Sequence, residues 1–303
     1  MNIMNRVWIL AAILTLAIPV FAQQAQQSQQ TQQTPQAQQT QQAQKDTAQT
    51  SQAPDNRPKV KSQAEMDAYK AAFTNPDPAA VEKAANDFAT QFPDSELKPI
   101  LYRAAMHAYE RQNNTKKAVE MGEGVLKYDP DDPEALILVA QVLAQNPGTG
   151  ADMAQNVNQA MQYARHAIVT VDTNLPPKLP ADKVDIYKGM IRSSAYSIVG
   201  ALQYNMQQYA DAEASFRQSL DALPSQPDAV VVLRLALALE KEQKYPEALK
   251  EAKRAVDMTQ ENTGVGQMAR RERDRLAPLA KNGGAAPASQ TPAGTQTPSA
   301  PKQ

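Results

Sequence analysis

The chain has 303 residues, with 31 Lys and Arg against 32 Asp and Glu and a formal net charge of −1. It contains no cysteine, two histidines and 11 glycines, and aromatic residues make up 5%. These numbers exclude disulfides, a cysteine nucleophile, a thiolate zinc site and a lipidated cysteine. They argue against a general nucleic-acid binder and disfavour a β-rich or dinucleotide-binding fold.

Residues 1–22, MNIMNRVWILAAILTLAIPVFA, read as a secretory signal. Arg6 supplies the positive start, Val7 to Ile18 is an apolar run, Pro19 breaks it, and Val20-Phe21-Ala22 offers a cleavage site after Ala22. The run is short for a membrane span of roughly 20 residues. The expectation is therefore an exported, periplasmic or secreted chain with no membrane span once the signal is removed. An uncleaved anchor is the alternative.

Residues 23–60 form a Gln-rich segment expected to be disordered; from Gln23 to Gln52, 16 of 30 residues are Gln. It lacks the apolar periodicity needed to offset its ordering entropy. Residues 282–303 are a second such segment, rich in Pro, Gly and Ala. The structured part is expected at 61–281.

Within it strand signals are missing, while helix signals recur. Ser62 with Glu65 forms a capping box, and Asp77-Pro78 and Asp132-Pro133 each place an N-cap before a Pro at the first helical position. The pattern predicts eleven helices, near 62–73, 78–91, 96–112, 115–128, 132–145, 151–171, 180–207, 209–222, 227–243, 245–258 and 263–281.

An internal repeat runs through these helices. Tyr209, Ala212 and Phe216, followed by Leu220 and Pro224, correspond to Tyr245, Ala248 and Ala252, followed by Ala255. Ala118, with Val125 and Pro130, repeats the device. The preceding helices carry Tyr196, Val199 and Gly200, then Val232, Leu235 and Ala236, and earlier Tyr102, Ala105, Met106 and Tyr109. These residues resemble the tetratricopeptide repeat, a 34-residue helix–turn–helix with small residues where helices touch. The resemblance implies an all-α superhelix, or solenoid, of about five helix-turn-helix pairs plus a C-terminal capping helix. Ala118, Ala160, Ala212 and Ala248 lie 42, 52 and 36 residues apart, and the excess over 34 falls in Gln145–Asn158 and Asp172–Asp182. Insertions thus land in connections, as stacked repeats permit. A plain bundle of Ala-rich helices is the alternative.

The last helix interleaves Arg270, Arg271, Arg273 and Arg275 with Glu272 and Asp274, and sets Val265, Met268, Leu276 and Leu279 on one face. This fits a cap over the last apolar repeat; a basic contact patch is the alternative.

Chemistry-bearing motifs are sparse. No phosphate loop, Gly-x-Ser-x-Gly or His-Glu-x-x-His occurs. His107 and His166 read as ordinary helix histidines. Asp129, Asp131, Asp132 and Glu134 lack the Gly and terminal Glu of a calcium loop, and helix N-capping accounts for them. No catalytic residue, cofactor or metal is expected.

The tetratricopeptide resemblance implies that the first helices of the pairs line a peptide-binding groove. The corresponding residues are Arg103, His107 and Arg111, then Ile137 and Gln141, then Ser197, Ala201, Tyr204 and Asn205, then Leu233, Leu237 and Lys241. The carboxylate clamp of some family members is not matched, because Glu134 and Leu138 stand where basic or amide groups are needed. The expected function is a non-catalytic scaffold of the cell envelope that binds a protein or peptide, with no nucleic-acid partner. An oligomerising spacer that uses the Gln-rich arm is the alternative.

Overall fold

The computed structural model describes residues 58–176 and 179–281. The signal reading of 1–22, the Gln-rich segment up to residue 57 and the tail 282–303 lie outside the described residues. The described residues hold eleven α-helices, one 3-10 turn and no strand, so this part of the protein is all-α. The helices are α1 (Gln63–Ala71), α2 (Pro78–Gln91), α3 (Lys98–Arg111), α4 (Thr115–Tyr128), α5 (Pro133–Gln145) and α6 (Ala151–Thr170). They continue with α7 (Val184–Asn205), α8 (Tyr209–Ala222), α9 (Ala229–Lys241), α10 (Tyr245–Asp257) and α11 (Gly264–Lys281). Where one helix was expected over 180–207, a 3-10 turn at Ala181–Lys183 precedes α7. None of these helices is long and apolar enough to cross a membrane.

Local chemistry starts the helices. Ser62 accepts from the Glu65 amide while the Glu65 side chain accepts from the Ser62 amide, completing the capping box. Asp77 and Asp132 cap α2 and α5 through the amides of Ala80 and Ala135, each followed by Pro at the first position. Asp228 caps α9 through the Val230 amide at 2.7 Å.

Three helix ends share one turn. Asn113, Gln207 and Gln243 have φ of 58°, 63° and 63°. At each site two amides reach back into the preceding helix. Asn113 and Asn114 bond the carbonyls of Glu110 and Tyr109; Gln207 and Gln208 those of Tyr204 and Gln203; Gln243 and Lys244 those of Glu240 and Leu239. This is the Schellman arrangement, which satisfies carbonyls otherwise left open at a helix end. The next helix begins at once, with Ala118, Ala212 and Ala248 donating to Asn114, Gln208 and Lys244. The repeat register drawn through these alanines is therefore the register of the turns. The α5–α6 connection departs from it, using Gly148 and Gly150 at positive φ, where the sequence predicts a lengthened turn. A left-handed glutamine is strained relative to glycine, so Gln207→Gly and Gln243→Gly should each stabilise by about 0.5–1 kcal/mol. Denaturant midpoints of the two variants check this, and a fall in either midpoint would contradict the strain.

The helices belong to two compact units, with α4 running from the first into the second. In the first unit α2 packs on α3. Val81, Ala85 and Phe88 are buried on α2, and Leu101, Ala105, Met106 and Tyr109 on α3. Polar bonds brace the pair. Tyr102 donates to Asn86 at 2.7 Å, Tyr109 donates to Glu82, and Lys117 meets Glu82 and Glu120, each at 2.9 Å. Burial, then the Glu82 carboxylate, pushes the Tyr109 hydroxyl up to about 12. The chain entering α1 is stitched to the α2–α3 connection: the Lys59 amide donates to Glu96 at 2.9 Å and Lys61 Nζ to the Asp94 carbonyl at 2.6 Å. Glu65 is buried beneath this seam, 1% exposed. It accepts from the amides of Lys61 and Ser62. The Ser95 hydroxyl, with those amides, holds its carboxyl below the ordinary value against the opposing effect of burial.

In the second unit α5–α6, α7–α8 and α9–α10 are packed hairpins stacked in order. The first helices touch in turn, α5 with α7, α7 with α9 and α9 with α11. Small residues set the close approaches. Ala212, Ala236, Ala248 and Ala252 are fully buried among Phe216, Val232, Leu235 and Leu239. A Cβ on Gly200 would lie 2.7 Å from the Phe216 ring, and one on Gly189 would lie 2.6 Å from the Ala222 carbonyl oxygen. Thus α7 meets α8 at two glycines, closer than alanine would allow.

Helix α11 covers the end of the stack against α9 and α10. Ala269 and Leu276 are buried, and Val265 and Leu279 pack beside them. Met268 does not join that face as expected, being 55% exposed. The buried positions 269, 272 and 276, with the partly buried 265 and 279, follow a three- and four-residue rhythm, which turns 268 outward. The arginines are largely committed. Arg275 bridges Glu240 and Glu272, Arg273 pairs with Asp274 at 2.8 Å, and Arg270 donates to the Gly266 carbonyl at 2.9 Å.

Candidate partner-binding face

The residues expected to line a groove fall into both units. In the first unit Arg103 and His107 are half-buried and Arg111 is exposed at the end of α3. His107 Nδ1 lies 2.7 Å from Glu110 Oε2 on its own helix. The His107 ring is thus engaged by a neighbour one turn away.

In the second unit the side-by-side helices α5, α7, α9 and α11 form one layer, and the residues they leave open follow a helical rhythm. On α7 these are Ser194, Ser197, Ala201 and Tyr204, all half-buried, with Asn205 exposed at the end. Tyr204 packs against the core of α8–α11 and meets Tyr209 edge-on at 5.4 Å. Burial raises its hydroxyl pKa. On α9 the open stripe is Val230, Arg234, Leu237 and Lys241.

Two expected groove residues are not on the surface. Ile137 is 3% and Leu233 4% exposed. Helix α5 is buried on every side from Pro133 to Ala140, so Gln141, half-buried, is where it first opens. On α9 two of the three expected residues, Leu237 and Lys241, lie on the open stripe, and the exception is Leu233, about 100° around the axis from its neighbour Arg234. Leu233 then faces inward and Arg234 takes the open position.

Arg234 is the residue that sequence reasoning missed. It is half-buried, has no ion pair or side-chain hydrogen bond among the described residues, and its pKa is lowered by burial alone. Several acids of this unit are held by other cations. Glu213 meets Lys244 at 2.7 Å and Arg217 at 2.9 Å, Glu251 meets Arg254 at 3.3 Å, and Asp172 meets Lys188 and Arg192 at 3.1 and 2.6 Å. Its position, three residues before Leu237 and seven before Lys241, was available from periodicity once the phase of α9 was known.

The acids between α4 and α5 are also spoken for, though not all by capping. Asp132 caps α5, whereas Asp129 accepts from Asn174 at 2.9 and 3.0 Å and Asp131 meets His166 at 2.7 Å. Among the described residues no group of three or more His, Asp and Glu is placed to hold a metal ion.

No protein-family model matches the chain, and no curated protein matches it. Among solved structures it is similar to the MamA protein, with 14% identity over 61% of this chain and 89% of that one, and a TM-score of 0.39. It is also similar to a thermophilic TPR protein of Thermus thermophilus, with 12% identity over 69% and 98% of the two chains and a TM-score of 0.41. A third, the assembly chaperone of RpL4, has 14% identity over 72% and 98%, and a TM-score of 0.37. The chain's own hairpins, with alanines at the crossings and one turn used three times, are similar to tetratricopeptide repeats.

Proposed function

We propose that the protein is a non-catalytic scaffold of the cell envelope that holds a segment of another protein on the face made by α7 and α9. The observation that carries this is the open stripe itself. Ser197, Ala201 and Tyr204 beside Leu237 and Lys241 mix apolar, polar and cationic groups, as peptide-binding helix layers do. Rigid, core-backed helices suit such a face because they meet a partner already ordered. Export rests on the signal reading of residues 1–22, and sequencing the N-terminus of the mature protein tests it: a chain beginning at Gln23 supports export.

The test of the face places a photo-crosslinking residue at Leu237 in the full-length protein in intact cells, followed by identification of the attached protein. A discrete partner band is expected, and replacing Tyr204 and Lys241 with Ala should reduce it about tenfold, the cost of two ordinary interface contacts. Full retention of the band in that variant sinks the assignment of this face.

A further inference from the structure

We propose that the α9 stripe reads charge, and that its occupant is an acidic amphipathic helix carrying two carboxylates seven residues apart with an apolar side chain between them. This deepens the reading of the α7–α9 face given above and rests on it.

Three observations define the occupant. Arg234 is a half-buried guanidinium without an acidic partner among the described residues, and Glu213, Glu240, Glu251 and Glu272 of its unit are paired with other cations. A guanidinium held partly out of water is stabilised strongly by an incoming carboxylate, which it can grip with two parallel hydrogen bonds. Lys241, exposed and likewise without an ion pair among the described residues, stands two turns further along the same stripe, and Leu237 lies between the two cations. Seven residues of helix rise about 10 Å. A partner helix lying along α9 repeats the same spacing on its own face, so a Glu, a Leu three residues on, and a Glu at seven meet Arg234, Leu237 and Lys241 in register. No acidic side chain sits on the α9 stripe between Val230 and Lys241; Glu240 lies off it and, with Glu272, is held by Arg275.

The test uses the full-length protein and a fluorescent, capped, Ala-rich helical peptide with this Glu–Leu–Glu spacing, beside a counterpart in which both Glu are Gln. Binding is followed by fluorescence anisotropy at low and raised salt. The acidic peptide is expected to bind about tenfold or more tightly than the Gln peptide, with the gap closing as salt rises. Arg234→Gln should remove most of that gap and Lys241→Gln a smaller part, while Arg271→Gln, on the exposed side of α11, leaves it intact. Lys241 is at the surface, so its variant reports on charge even if Arg234→Gln disturbs folding. If both peptides bind equally and Leu237→Ala weakens both, charge reading is overturned while the face remains a binding site. If neither peptide binds, the acidic-helix occupant is overturned. The crosslink at Leu237 then reports separately on whether the face binds another protein.

Discussion

Phe216→Ala is expected to destabilise the second unit by about 3–5 kcal/mol, the usual cost of removing a large ring from a closed core. Phe216 is fully buried, and its ring fills the space left by Gly200 on α7. The two positions are complementary, which makes a sharper test than either alone. Gly200→Ala puts a methyl against the ring at 2.7 Å and should cost about 1–3 kcal/mol through overpacking. Combining Gly200→Ala with Phe216→Leu should cost less than the sum of the two, because the smaller side chain yields to the added methyl. Urea unfolding of the four proteins measures the coupling, and strict additivity would show that the α7–α8 crossing does not depend on this contact.

Glu65 carries the second large effect. Its buried carboxylate accepts from the amides of Lys61 and Ser62, ordering the start of α1 where Lys59 and Lys61 bond the α2–α3 connection. Glu65→Ala leaves those donors without an acceptor and should cost the first unit about 2–4 kcal/mol. The pH dependence has a definite sign. The folded pKa lies below the ordinary value of 4.5. The carboxylate's contribution is therefore complete above that value and is lost as pH falls through the lower, folded one. Glu65→Gln should flatten this part of the acid limb in a plot of stability against pH. An unchanged acid limb in the Gln variant would show that the seam does not depend on the charge.

Helix ends were the most legible part of the sequence, because they are set by residues a few positions apart. Ser62 with Glu65, Asp77-Pro78 and Asp132-Pro133 each announce a start without help from distant parts of the chain. The alanine register through 118, 212 and 248 was legible for a related reason, since a close helix crossing tolerates few residue types. The direction each helix turns its faces was harder to read. Helix α5 is apolar on every side, so nothing in its sequence says that Ile137 is enclosed while Gln141 is open. On α9 a strict four-residue step from Leu237 pointed to Leu233 where the three-residue step to Arg234 holds, and on α11 a one-residue error placed Met268 inside. The fate of the α11 arginines was hidden for another reason: the partner of Arg275, Glu240, is 35 residues away in the chain.

The shared turn after α3, α7 and α9 has an evolutionary consequence. Its geometry is fixed by main-chain bonds, and the residues occupying it, Asn113, Gln207 and Gln243, sit there at a small cost rather than being demanded by it. A hairpin closed in this way carries its own joint. Copying or deleting one, with its connections, lengthens or shortens the row of first helices while leaving the joint of every other hairpin untouched. Such a chain can acquire a longer recognition surface by duplication and then diverge at the stripe alone, changing what it holds without redesigning how it is built.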